Sequence, residues 1–307
     1  MENLLPVELW QMVFEDLSVF PRDNSSLNKG KYNEAKRTLS SCTLVCKRWC
    51  TIARPYLFQD IRLTLENHNL EQIHEYFSTF TLLTNCVKTL HLARYDRRPR
   101  SPLVTRDGTL VDQEPSPKLS VVLLADTLRL FPKLRHVRFV DIFFANLTAV
   151  DAAYLHETSP STGKLSVEVL EIVFNICFLD YSVRQQHILA CFRSVDRLLV
   201  HGRAGWGSSH DSGDLLCIPQ VRSLELADAA GTQQILTLLK SPSHGVCCLE
   251  ELSIERINSG MTDDYPALQA MLDVVGPRLT RFRCNMARNP QGTSHICARF
   301  VSSVDSE

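Results

Sequence analysis

No stretch of this chain is apolar for long enough to cross a bilayer as a helix. The densest, Ile172 to Leu179, falls far short of the roughly 18–20 residues that a span needs. Charge of one sign is missing as well. The 33 Lys and Arg against 34 Asp and Glu leave a formal net charge of −1. No global field then steers the chain to nucleic acid or to an anionic membrane, and neither is an expected partner. The opening Met1-Glu2-Asn3-Leu4-Leu5-Pro6 has no basic region and no long apolar one, so no secretory leader is expected. A cytoplasmic and/or nuclear location is the expectation that follows.

The marks of metal and nucleotide chemistry are also lacking. Eleven cysteines are present, yet no Cys-x-x-Cys occurs. Most of them, Cys46, Cys177, Cys191 and Cys284 among them, sit inside apolar patterns. They read as reduced, buried thiols that act as small hydrophobes. Cys42, Cys46 and Cys50 follow one another at helical steps without a fourth ligand. Cys247 and Cys248, adjacent at a strand start, face opposite ways. Gly202-x-x-Gly205-x-Gly207 follows a strand but runs into a polar loop instead of a helix, which a dinucleotide site requires. Ser209-His210-Asp211 is contiguous, whereas a triad converges in space. The sequons at Asn24 and Asn146 have no meaning without a secretory route. No cofactor, no metal and no enzymatic activity is expected.

Two patterns are present instead, and 307 residues suit a small module plus a larger body. The first pattern opens at Pro6, which tolerates the first turn of a helix. Glu8 suits the helix dipole. Leu9, Trp10, Val13, Phe14 and Leu17 then cover more of the helix than one core face needs. Ser18 to Arg37 lacks apolar periodicity, holds Pro21, Gly30 and three Asn, and reads as a loop. Helical spacing resumes from Thr38 through Leu39, Cys42, Val45, Cys46, Trp49, Ile52 and Ala53, with an end expected before Pro55. Leu57, Phe58 and Ile61 close the module.

Leu5-Pro6-x-Glu8-Leu9, Val13-Phe14-x-x-Leu17, Leu44-Val45-Cys46-Lys47-x-Trp49, Ile52-Ala53 and Leu57-Phe58 together closely resemble the F-box over residues 4–61. The link at 18–37 exceeds the family's usual one, a feature familiar in its fungal members. The resemblance implies docking to the Skp adaptor, and through it to the cullin, of a cullin–RING ubiquitin ligase. By family position, Leu5, Pro6, Leu9, Phe14, Val45, Cys46 and Trp49 would carry that contact or the packing behind it.

The second pattern is a phrase of apolar residues at the first, fourth and sixth positions. It appears as Val87-Leu90-Leu92, Leu134-Val137-Phe139, Val167-Leu170-Ile172, Val195-Leu198-Val200, Val221-Leu224-Leu226, Leu249-Leu252-Ile254 and Leu279-Phe282-Cys284. The copies start 47, 33, 28, 26, 28 and 30 residues apart. Most steps lie near the period of about 20–29 residues of leucine-rich repeats. Helical spacing lies between them: Ile73, Phe77 and Phe80; Val121, Leu124, Leu128 and Phe131; Ile188, Leu189 and Phe192; Ile235, Leu236 and Leu239; Leu268, Met271, Leu272 and Val275. Pro132, Pro219 and Pro277 each stand two residues before a copy's first apolar position and end the preceding element.

Strand alternating with helix also fits a doubly wound sheet. The strands are not the continuous apolar runs that a sheet covered on both faces needs, and the recurring phrase favours a stacked solenoid. The body resembles degenerate leucine-rich repeats. The fold expected is therefore α/β: an all-α F-box-like module over 1–61 and an irregular repeat solenoid with a parallel sheet over 62–290. A loop is expected at 96–118 and an irregular tail at 291–307. Within that loop, Arg97-Arg98-Pro99-Arg100-Ser101-Pro102 reads as solvated chain; a nuclear signal or a proline-directed phosphosite is its other reading. The variable strand positions Lys88, Thr89, Arg135, His136, Arg222, Ser223, Glu250 and Glu251 face outward. They assign no target protein. The rival reading is an interaction scaffold whose N-terminal helices only cap the solenoid.

Overall fold

Phe14 and Leu17 repeat at a helical step and bring the first segment, Val7–Ser18, into α1. It packs against a pair of helices, α2 (Ser26–Val45) and α3 (Lys47–Phe58). Phe14, Leu39 and Ala53 fill the small core between the three, with Trp10, Trp49, Ile52, Tyr56 and Leu57 around them. The computed structural model describes residues 6–18, 26–65, 69–94, 119–142, 144, 148–157, 165–174, 185–202, 219–227, 248–257, 264–286 and 298–300.

Among the described residues beyond the module, the strands form one nine-stranded sheet. Its strands are β1 (Asp60–Thr64), β2 (Thr89–Ala93), β3 (His136–Val140), β4 (Leu165–Phe174), β5 (Phe192–Gly202), β6 (Gln220–Ala227), β7 (Glu251–Ile257), β8 (Arg281–Met286) and β9 (Ala298–Phe300). Strand order follows chain order without reversal, so the sheet lacks the switch point of a doubly wound fold. Every neighbouring pair is parallel except β8 and β9, which are antiparallel. Between strands lie α4 (Leu70–Thr79), α5 (Thr81–Thr84), α6 (Val121–Arg129), α7 (Ala149–Glu157), a 3-10 turn (Gln185–Cys191) and α8 (Asp264–Val275).

The repeated phrase sets the register. Its middle residues align across the sheet as Leu90, Val137, Leu170, Leu198, Leu224, Leu252 and Phe282. Its last residues align as Leu92, Phe139, Ile172, Val200, Leu226, Ile254 and Cys284. Residues two apart share a face, so both rows lie on one side of the sheet. Apolar residues of α4, α6, the 3-10 turn and α8 meet them in one continuous core. A single-residue slip of any strand would turn its row to the other face, so burial holds the register.

Several expectations are corrected. The loop over 18–37 is helical from Ser26, because Tyr32 and Lys36 anchor α2 onto β1 even though its first turns carry no apolar stripe. The expected single helix from Thr38 breaks at Cys46, whose backbone is extended (φ −162°, ψ 168°). Its Sγ accepts a hydrogen bond from the Trp49 N–H at 3.5 Å and so caps α3. α3 runs through Pro55. An interior proline costs about 3 kcal/mol, and the packing of Tyr56 and Leu57 just beyond it onto the module core offsets that cost.

The boundary at 61/62 cuts β1. Ile61 pairs with Leu90 and Leu63 with Leu92, so Phe58-x-x-Ile61-x-Leu63 is an eighth copy of the phrase. The tail 291–307 contains β9, because the open edge of β8 offers backbone groups for Ala298–Phe300 to pair with. Phe80 is exposed at the end of α4 instead of sharing the buried face of Ile73 and Phe77. The Ile188 stretch is a 3-10 turn, with Phe192 already in β5. The loop 96–118, the Ile235–Leu239 stretch, Cys177 and the tract from Gly205 to Asp211 lie outside the described residues.

Candidate functional site

The first candidate surface is the outer side of the three-helix module. Phe14 is 1% exposed, and the indole of Trp49 stands edge-on to it at 5.9 Å. Trp10 lies 4.3 Å from Trp49 between ring centroids. Phe14 is buried, and the half-buried Trp10 and Trp49 pack against it. With these and Leu17 packed inside, Leu9, Met12 and Val13 of α1 and Leu44 and Val45 at the end of α2 are left exposed. Leu9 is 44% exposed, Met12 61%, Val13 46%, Leu44 83% and Val45 63%. Cys46 and Pro6 are exposed beside them. The break at Cys46 turns the chain and leaves Leu44 and Val45 at a corner between helices.

The residues singled out from sequence therefore separate into two kinds. Pro6, Leu9, Val45 and Cys46 lie at the surface, while Phe14 and Trp49 pack behind it. Leu5 lies outside the described residues. Val13 and Leu44, quoted in the F-box-like motif but given no adaptor role, and Met12, not quoted at all, belong to the same exposed set. Their signal was in the sequence. Leu44 is not at a three- or four-residue step from Leu39, so it cannot share Leu39's buried face.

Among the described cysteines only Cys191 and Cys284 are buried. Cys46 and Cys248 are exposed and Cys42, Cys50 and Cys86 half-buried, which corrects the expectation that most of the thiols are buried. Among the described residues no group of His, Cys, Asp and Glu has the arrangement to hold a metal ion. No described helix is long and apolar enough to cross a membrane.

The second candidate surface is the polar face of the sheet. Between the two apolar rows runs a third, Arg62, His91, Arg138, Glu171, Leu199, Glu225, Ser253 and Arg283, on the opposite side. At its β1 end α2 closes over the sheet. The Tyr32 hydroxyl donates to the Asp60 carbonyl at 3.3 Å, and the Lys36 ammonium donates to the carbonyls of Leu57 and of Asp60, the latter at 2.8 Å. Burial pushes the Lys36 amine down to about 8, against the pull of the Asp60 carboxylate. It also raises the Asp60 carboxyl and the Tyr32 phenol.

His91 is buried, its Nε2 has no hydrogen-bond partner, and burial with the flanking Arg138 and Arg62 charges holds it to about 4. Glu171 sits 3.4 Å from Arg138, 3.8 Å from His136 and 3.9 Å from His201. Burial alone would raise its carboxyl. The neighbouring His136, Arg138 and His201 outweigh burial and lower it. Among the outward strand positions, Arg222 pairs with Glu250 at 2.8 Å and Arg135 with Glu168 at 3.2 Å, both at the exposed rim.

Residues 3–64 match the F-box-like family model, which spans the three helices and β1. No curated protein and no solved structure matches the chain.

Proposed function

We propose that this protein is a substrate-recognition subunit of a cullin–RING (SCF-type) ubiquitin ligase. It docks a Skp-type adaptor, and through it a cullin, with the outer face of α1 and the α2–α3 corner. F-box domains typically bind adaptors of this kind. The observation that carries the reading is the exposure of Leu9, Met12, Val13, Leu44 and Val45 on a module whose aromatics already fill its own core. An apolar residue left in water forgoes roughly 1.5–3 kcal/mol that burial would return, so a partner that covers three or four of them gains an interface core.

The sheet body is the target receptor in this reading, built as a short solenoid of degenerate leucine-rich repeats of the fungal F-box type. Chain-order parallel strands with rows of identical position in register support it. The protein makes and breaks no bonds itself. It holds a target lysine near a charged ubiquitin carrier and so raises effective concentration. The expected setting is the cytoplasm and/or nucleus. The rival, in which the helices only cap the sheet, has α2 and α3 meeting β1 in its favour. It leaves the outward-facing Leu9 and Leu44 without a role.

A pulldown with purified Skp adaptor tests the reading. Wild type binds, and Leu9→Asp and Leu44→Asp abolish binding while their circular dichroism melts match wild type. A well-folded wild type that fails to bind hands the lead to the capping reading.

A further inference from the structure

The polar face of the sheet is not open along its whole width. At β1 the helix α2 covers it, with the Tyr32 ring against Arg62. From β5 to β8 it opens into a groove of about 520 Å³. The groove carries three arginines, Arg197, Arg281 and Arg283, and two glutamates, Glu225 and Glu251. Both glutamates are committed. Arg197 donates to Glu225 at 2.7 Å, while Arg281 and the Ser223 hydroxyl donate to the two oxygens of Glu251 at 3.1 and 3.2 Å.

That leaves Arg283. It is exposed, pairs in register with the uncharged Ser253, and makes no ion pair among the described residues. The groove therefore holds three arginines against two glutamates, and its carboxylates pair with Arg197 and Arg281 but not with Arg283.

We propose that this groove receives an extended acidic segment of the target protein, carried by Asp and Glu side chains, with Arg283 as the anchoring residue. The inference rests on the reading of the sheet as the target receptor and adds the chemistry of what it takes. An acidic segment entering the groove at β8 pairs with Arg283, the arginine that no groove carboxylate holds. It then competes with Glu251 and Glu225 for Arg281 and Arg197, so each internal carboxylate weakens binding as well as ordering the groove. Guanidinium–carboxylate contacts are directional and often bidentate, which favours arginine over lysine at such a surface.

Fluorescence anisotropy on the full chain tests this with a labelled Glu–Ser repeat peptide as probe and a Lys–Ser repeat as control. The Glu–Ser peptide binds, the Lys–Ser peptide does not, and added salt weakens the binding. Arg283→Glu weakens it about tenfold or more, as expected for reversal of an anchoring charge. Glu225→Gln, which frees Arg197, tightens it several-fold, a gain that loss of structure cannot mimic. No binding of the Glu–Ser peptide, or equal binding by Arg283→Glu, overturns the proposal. The Skp adaptor pulldown run on Arg283→Glu keeps the two ideas apart. Adaptor binding without peptide binding in the wild type sinks the groove alone, and peptide binding without adaptor binding sinks the ligase reading alone.

Discussion

Tyr32 and Arg62 join the two parts of the molecule: the guanidinium carbon lies 3.8 Å from the centre of the Tyr32 ring. One comes from the segment between the halves of the F-box-like pattern, the other from the first strand of the sheet. The contact, with the Tyr32 and Lys36 hydrogen bonds to the Asp60 carbonyl, also covers an edge strand that would otherwise offer its backbone to other chains.

Tyr32→Ala removes both the ring and its hydroxyl, and the expected loss of stability is about 1–2 kcal/mol. Tyr32→Phe keeps the ring and loses little. Urea denaturation of the three proteins decides it, and an unchanged midpoint for Tyr32→Ala would mean that the ring does not hold module to sheet.

Phe14 and Leu44 predict opposite phenotypes. Phe14→Ala opens a cavity in a three-residue core and costs about 3–5 kcal/mol. Leu44→Ala, at an 83% exposed position, stays within about 0.5 kcal/mol of wild type yet weakens adaptor binding. Thermal melts beside the adaptor pulldown separate the two roles. A Leu44→Ala protein that melts well below wild type refutes its assignment to the surface.

In the sheet, Leu198 lies in register between Leu170 and Leu224 and is fully buried. Leu198→Ala is expected to cost about 2–5 kcal/mol. At the same strand, Arg197→Ala stays within about 1 kcal/mol because its ion pair is solvated. Equal losses from the two would mean that the register differs from the one described.

His91 makes stability depend on pH. Its ordinary value is 6.5 and the fold holds it to about 4. As pH falls below 6.5 the unfolded chain takes up a proton that the folded one refuses. Stability is therefore lost progressively between about 6.5 and 4, with a slope of up to about 1.4 kcal/mol per pH unit from this residue. His91→Gln removes that slope. Denaturation midpoints at stepped pH check it, and a wild type and a His91→Gln variant that decline in parallel would contradict it.

The sequence by itself determined the strand rows. The spacing of first, fourth and sixth apolar residues sends two of them to one face of a strand, and burial admits only the register that keeps them there. It likewise marked the helices α1, α6 and α8, whose apolar spacing is local and periodic. What it could not show depends on partners distant in the chain. The first turns of α2 have no periodic stripe; they are helical because Tyr32 and Lys36 reach Asp60 and Arg62, more than twenty residues on. Leu9 and Phe14 look alike in sequence, and only the packing of Trp10 and Trp49 decides that Phe14 is filler and Leu9 is surface. Arg283 became distinct from Arg281 and Arg197 only when the fold supplied glutamates to those two. Local spacing specifies elements, because a helix or strand repeats within a few residues. Exposure and charge pairing belong to the tertiary structure, because they are relations between residues that only the folded chain brings together.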